Sequence, residues 1–555
     1  MKNRAIKWIS VLLAALTVLS FSVSCNADER SKDIVILFTN DMHCGIEDNL
    51  GFAGLAAYKK DMEAAHRYVT LVDCGDAIQG DFIGTVSDGE YIVNLMNEVG
   101  YDFAVAGNHE FDYGMDQLSS LLARSEAQYL AANITYSGSG TNALAGSKPY
   151  EIVKYGRTKV AFIGVSTPES TLKSTPSYFM ENGEFVYDFA GGGDGENLYD
   201  LVQGYVDECR QKGADHVVLL AHLGDTEESS PYTSVELIGS TTGIDAVLDG
   251  HAHSVIPSKT VQNENGEEVL LSSTGTKLAN IGKLTIEADG DLSTELISDY
   301  SKKDGEIAAY IQSIQADFEN EKNAVIATSN IALSCSSPSG ARLVRNREIP
   351  IGNLIADAYR AVGGADIGVV NGGGIRADIP EGDITYADML AVHPYGNTLC
   401  VVKATGQEIL DLLETACRFT KAVAEENGAA VGENGGFMQV SGIKFTVDTS
   451  IEPSVVTDEN ENFVSVSGER RVKDVFVLNA NGEYVPLDPN AVYTVASHNY
   501  LLRSGGDGYT KFTDNEYIIE EGILDYQVLT TYITEHLNGQ LGEYYSDVQG
   551  RIVIK

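Results

Sequence analysis

Phe103-Ala104-Val105-Ala106-Gly107-Asn108-His109-Glu110-Phe111-Asp112 passes from four apolar residues into a glycine, an amide, an imidazole and two carboxylates. The apolar run has the length of a buried strand, and the glycine lets the backbone turn sharply enough to present short polar side chains at its end. Four other apolar runs in the first half of the chain end in the same way. Run 34–38 leads into Thr39-Asn40-Asp41-Met42-His43, and run 69–72 into Asp73-Cys74-Gly75-Asp76. Run 217–220 leads into Ala221-His222-Leu223-Gly224, and run 246–248 into Asp249-Gly250-His251-Ala252-His253. Run 160–165 reads as a further buried strand, and helical stretches at 54–65, 91–99, 115–123 and 198–212 lie between some of the strands. That alternation predicts an α/β domain. Open α/β sheets hold ligands just beyond the carboxyl ends of their strands, so five strands deliver Asp, Asn and His to one rim.

A single aspartate at a strand end is usually a helix cap, and a single histidine is usually a packed or surface residue. Five such pieces together describe a metal rim. The donors are oxygen and imidazole without thiolate, a set suited to divalent Zn, Mn, Fe or Co. Cys44 and Cys74 stand beside the motifs and are read as small packing residues. The order Asp-x-His, Gly-Asp, Gly-Asn-His-Glu, His, Gly-His-x-His resembles the calcineurin-like dinuclear metallophosphoesterases over roughly residues 33–260, and the segments 39–43, 107–114 and 250–253 resemble the 5′-nucleotidase family in particular. The resemblance implies a four-layer α/β/β/α metallophosphoesterase sandwich over 30–300 and two divalent metal ions. Asp41, His43, Asp76 and His253 would hold one ion, with Asp76 bridging to a second held by Asn108, His222 and His251. Two ions sharing a carboxylate form a clamp for in-line displacement at phosphorus. His109 is read as catalytic rather than ligating, with Asp112 orienting it and favouring its protonated form.

Residues 301–328 read as a linker helix, with Ile307, Ile311, Ile314 and Phe318 at helical spacing within 302–327. A second α/β pattern fills 329–555, with helices at 351–362 and 406–417, a strand at 367–370, and a polar, Gly-rich loop at 420–436. It carries Asn371-Gly372-Gly373-Gly374-Ile375-Arg376, His393-Pro394-Tyr395-Gly396-Asn397 and Tyr500-Leu501-Leu502-Arg503-Ser504-Gly505-Gly506-Asp507. These resemble the C-terminal nucleotide-binding domain of the same family. The resemblance implies that Arg347, Asn371 and Arg376 position phosphate and substrate, that Asn397 contacts the base, and that Asp507 accepts from ribose hydroxyls. Tyr395 and Tyr500 would sandwich the base, with Leu501 the alternative on strict spacing. His66, His216 and His536 are read as structural, while His393 and His498 receive no role.

Lys2, Arg4 and Lys7 precede an apolar stretch over 8–23, the layout of a secretory signal, assigned to 1–24. Ser22-Val23-Ser24-Cys25 resembles a bacterial lipoprotein box, which implies a membrane anchor through a lipid on Cys25; cleavage after Ala27 is the alternative. A formal charge of −42 sets the surface against polyanions, so no nucleic-acid polymer is expected as a partner. Seven cysteines without zinc-finger spacing exclude a disulfide scaffold. The expected activity is release of phosphate from nucleoside 5′-monophosphates outside the cytoplasm. The alternatives are a 2′,3′-cyclic-nucleotide 2′-phosphodiesterase with 3′-nucleotidase activity, a UDP-sugar hydrolase, and a non-catalytic surface-binding protein.

Overall fold

The computed structural model describes residues 30–426, 429–458 and 462–555. The signal segment and Cys25 lie outside the described residues. Two six-stranded sheets make up the first domain. One runs in the order Leu292–Ile297, Ile281–Ile286, Ser31–Thr39, His66–Asp73, Phe103–Val105, Gln128–Leu130. The other runs Val255–Gln262, Glu268–Thr274, Ala246–Leu248, His216–His222, Thr158–Ser166, Tyr150–Tyr155. Ile36, Phe38, Val72, Phe162, Val218 and Leu220 are fully buried in one cluster between the two sheets. Opposite faces of the same strands pack on helices: Gly51–Ala65 and Glu90–Val99 cover the first sheet, and Glu196–Gln211 covers the second. Strands buried on both faces read as continuous apolar runs rather than alternating ones, which is why the central strands stand out in the sequence. The result is four layers, α/β/β/α.

Gly305–Lys322 is a helix whose Asp304 side chain caps it by accepting from the N–H groups of Glu306 and Ile307. Ile307, Ile311 and Ile314 are buried against the first domain's helices, each such side chain contributing roughly 1.5–3 kcal/mol. The expected helix over 302–327 is therefore shortened: Val325–Ser329 is a strand paired with Gly382–Thr385 in the second domain. The β-branched Val325 and Ile326 favour the pleated surface. The helix thus belongs to the first domain in packing, and only 323–324 separate it from the second.

The second domain is built on a five-stranded sheet in the order Met438–Ser441, Ile367–Asn371, Val492–His498, Leu399–Thr405, Tyr517–Ile519, covered by the helices Pro350–Val362 and Gly406–Ala416. The segment 420–436, expected as a loop throughout, carries a short ladder between Glu425–Glu426 and Ala429–Ala430. Among the described residues the six cysteines are all buried and none is paired, and no helix is long and apolar enough to cross a membrane.

Candidate active site

The five strand ends of the first domain converge. Asp41, His43 and His253 place one donor atom each within 4.8 Å of one another, and Asp76, His222 and His251 do the same beside them. Five of the seven expected ligands sit in left-handed backbone: Asp41 (φ 48°), His43 (43°), Asp76 (58°), His251 (75°) and His253 (52°). Such conformations cost about 1–3 kcal/mol each and persist only where the surroundings over-determine them. Here neighbouring loops are laced together, with the N–H groups of Asp41 and His43 donating to the carbonyls of Gly75 and Asp76, both at 2.9 Å.

Two buried carboxylates outside the ligand set complete the lacing. Glu110 accepts from the N–H groups of Asp76 (2.8 Å), Gly107 (2.6 Å) and Ala77 (2.8 Å). Asp249 accepts from Leu223 (3.0 Å), Gly224 (3.3 Å) and Gly250 (2.9 Å), and from the Ser234 hydroxyl. Close approach is required as well: a Cβ on Gly107 would lie 2.2 Å from Asp76 Oδ1.

The donors fit divalent ions. Asn108 gives its amide N–H to the Lys173 carbonyl (3.0 Å), which leaves its buried Oδ1 without a hydrogen bond. His43 donates from Nδ1 to the Gln79 carbonyl (2.9 Å), so its Nε2 lone pair faces His253 Nε2 at 2.9 Å. His222 donates from Nδ1 to the Cys74 carbonyl (2.7 Å), and its Nε2 stands 3.0 Å from Asp76 Oδ2. His251 Nε2 is held by Glu169 at 3.0 Å, which leaves Nδ1 as its lone-pair nitrogen. Converging lone pairs and carboxylates of this kind are what a cation satisfies, with ring orientation fixed by bonds to the second nitrogen. Burial lowers the His43 imidazole to about 3, toward the neutral form a metal needs.

His109 stands over this centre. Its Nδ1 is 2.7 Å from Asp112 Oδ2, and Asp112 Oδ1 accepts from Ser174 Oγ at 2.6 Å. Burial alone would depress the imidazole, but the Asp76 and Asp112 carboxylates outweigh it and push His109 up to about 10. The group is set to donate a proton.

A cleft of about 520 Å³ opens over the two groups, and the second domain supplies part of its wall through Gly396, Thr398, Arg503 and Glu521. Lys173 pairs with Glu520 across the domain boundary at 3.7 Å, and the Glu520 N–H donates to the Leu172 carbonyl at 2.9 Å. A separate pocket of about 380 Å³ lies in the second domain, lined by Asn371, Arg376, Tyr395, Asn397, Tyr500 and Asp507. Tyr395 and Tyr500 are 58% and 41% exposed, whereas Leu501 is fully buried and cannot face the pocket. The Arg376 guanidinium lies 5.7 Å above the Tyr395 ring.

Arg347 is a correction. It does not line this pocket; Arg345 does, two residues earlier, paired with Glu433 at 2.8 Å. The Arg347 Nε donates to its neighbour Asn346 at 3.3 Å, and Gln439 holds the Arg347 backbone carbonyl at 2.7 Å. Gly506 carries the Tyr500 ring: an added Cβ would lie 2.4 Å from it. If Tyr500 stacks a nucleotide base, as the resemblance implies, Gly506→Ala should displace the ring and raise KM about tenfold, within the span of one lost stacking contact. Steady-state kinetics with AMP checks this, and an unchanged KM would show that the ring does not hold the base. Glu110, Glu169, Lys173, Ser174, Arg345, Arg503 and Glu521 have no role in the sequence reading. Only Glu110 and Arg503 stand inside its motifs.

The family model for calcineurin-like phosphoesterases matches residues 34–255, and that for the 5′-nucleotidase C-terminal domain matches residues 325–514. The trifunctional nucleotide phosphoesterase protein of Bacillus subtilis is 27% identical over 566 residues; the alignment covers 94% of this chain and 35% of that protein, so the chain spans about a third of this relative's length. The snake venom 5′-nucleotidase of Crotalus adamanteus is 26% identical over 595 residues, covering 98% of this chain and 92% of that protein. Among solved structures, the NAD nucleotidase of Haemophilus influenzae superposes with a TM-score of 0.72 at 20% identity, over 94% of this chain and 99% of that one, a likeness of fold. With both domain types matched in order and the metal rim assembled, the chain belongs to the 5′-nucleotidase family of metal-dependent phosphoesterases.

Proposed function

We propose that the protein is an exported nucleotide phosphohydrolase that converts nucleoside 5′-monophosphates to nucleosides, held to a membrane through a lipid on Cys25. The observation that carries the activity is the pairing of a His109-capped metal cleft with a second-domain pocket offering two exposed tyrosine rings, two arginines and a carboxylate. Asp41, His43, Asp76, Asn108, His222, His251 and His253 would hold two divalent ions, which supply the Lewis acidity that activates water and neutralises phosphoryl oxygens. Tyr395 and Tyr500 stack the base, Asp507 accepts from the ribose, and Asn397 meets the base edge. His109 donates to the phosphoryl or leaving oxygen while Asp112 keeps the imidazole oriented.

Tyr395 and Asn397 line the nucleotide pocket while Gly396 and Thr398, their chain neighbours, line the metal cleft. Two cavities back to back on one segment require the second domain to turn before a bound nucleotide reaches the ions. Residues 323–324, between the docked helix and the first strand of the second domain, are the pivot. Phosphate release from AMP, 3′-AMP, 2′,3′-cyclic AMP and UDP-glucose tests the substrate. AMP is expected to be the best of the four. Inertness toward AMP with turnover of the cyclic or sugar nucleotide would replace this reading with one of its two rivals.

A further inference from the structure

Beneath the nucleotide pocket lies a histidine with no part in the chemistry just described. His498 ends the central strand Val492–His498, beside the parallel strand Ile367–Asn371 that ends in Asn371. It is 1% exposed. Its Nε2 lies 3.0 Å from Asn371 Oδ1, and Asn371 Nδ2 donates to Asp507 Oδ2 at 2.7 Å. The other Asp507 oxygen accepts from the Tyr500 hydroxyl at 3.2 Å, and the Tyr500 ring lies nearly parallel to the His498 ring, 28° apart with centroids at 6.0 Å.

We propose that His498 is a positioning residue for nucleotide recognition, locking Asn371 in the one amide orientation that holds Asp507 ready for a ribose. The inference rests on the reading of this pocket as the nucleotide site. An ionised carboxylate only accepts, so Asn371 must turn its nitrogen toward Asp507 and its oxygen toward His498. His498 must then donate from Nε2 and leave Nδ1 bare, the neutral tautomer. Burial and the neighbouring His393 lower its imidazole to about 3, which agrees with that form. Asp507 needs the tether because its backbone is left-handed at φ 55°, behind Gly505 at φ 66°. A loop so strained keeps its side chain in place only while its bonds hold it.

The test uses the full-length enzyme with His498→Leu and His498→Gln, assayed on AMP and on 2′,3′-dideoxy-AMP, which lacks the ribose hydroxyls. In His498→Leu the amide is free to flip and present its oxygen to Asp507. KM for AMP should rise about tenfold, as expected for one lost buried hydrogen bond to a charged network, with kcat little changed. KM for the dideoxy substrate should stay where it is, so the preference for AMP collapses. His498→Gln, which can still donate at that point, should restore the preference. A wild-type preference persisting in His498→Leu would overturn the proposal. So would a folded His498→Gln variant that binds both substrates like a failed His498→Leu, or a loss that falls on kcat for both substrates alike. A wild-type enzyme indifferent to the ribose hydroxyls would instead overturn the reading of the pocket, and the proposal with it.

Discussion

Asp76→Asn is expected to abolish phosphate release and to lower bound divalent metal from the two ions proposed per chain to one or none. Asp76 touches both a histidine of the second ligand group and the loop that carries His109. Asp76 Oδ2 lies 3.0 Å from His222 Nε2, and Oδ1 accepts the His109 N–H at 2.8 Å. Burial favours the protonated carboxyl, yet the charges of His222 and His109 hold Asp76 well below the usual carboxylate range. The amide keeps the shape and removes the charge on which two cations would converge. A fall in kcat on the order of 10³ or more is expected, about 4 kcal/mol of transition-state stabilisation. Elemental metal analysis alongside phosphate release checks both halves. A variant with two ions and wild-type turnover would remove Asp76 from the bridging position.

Glu110→Ala has the second largest expected effect, and it is on stability. Three buried backbone N–H groups from two loops end on this one carboxylate. Each donor left buried without a partner costs about 1–3 kcal/mol. Together these losses approach the whole stability of an ordinary domain, about 5–15 kcal/mol. The variant should unfold at markedly lower urea concentration, and its surviving folded fraction should bind divalent ions weakly, because Asp76 and Gly107 are set by the same carboxylate. A denaturation midpoint within error of the wild type would show that water or a shifted loop satisfies those groups.

The first domain was legible because its central strands are buried on both faces. Runs such as 34–38 and 217–220 are apolar throughout and end on polar residues, so strand and site announce each other. The outer strands gave no such signal. Val255–Gln262 carries Pro257, Ser258 and Lys259 and is largely exposed, as an edge strand can be. Ile281–Ile286 pairs antiparallel with Ser31–Thr39, a contact between chain segments about 250 residues apart that no local pattern encodes.

In the second domain the residue types were readable and their directions were not. Arg345 and Arg347 look alike in sequence, and only the folded chain shows that Arg345 is the one lining the pocket. Tyr500 and Leu501 were separable only by burial, because they are chain neighbours and spacing alone does not say which of them faces the pocket. Glu110 sat inside a motif without a role, since a sequence shows that a carboxylate is present but not that three N–H groups point at it.

The left-handed backbone at five ligand positions restricts what this centre can become. Valine, isoleucine and threonine are excluded at Asp41, His43, Asp76, His251 and His253 by their own branching, whereas Asn, Asp and His tolerate that region better than most. The accessible variation at the rim is therefore an exchange among short oxygen and imidazole donors. A lineage or a designer can retune which divalent ion is held, step by step, by swapping within that small alphabet. Converting the rim into an apolar pocket of branched side chains would require rebuilding the loops themselves. The backbone keeps the chemistry metallic while leaving the choice of metal open.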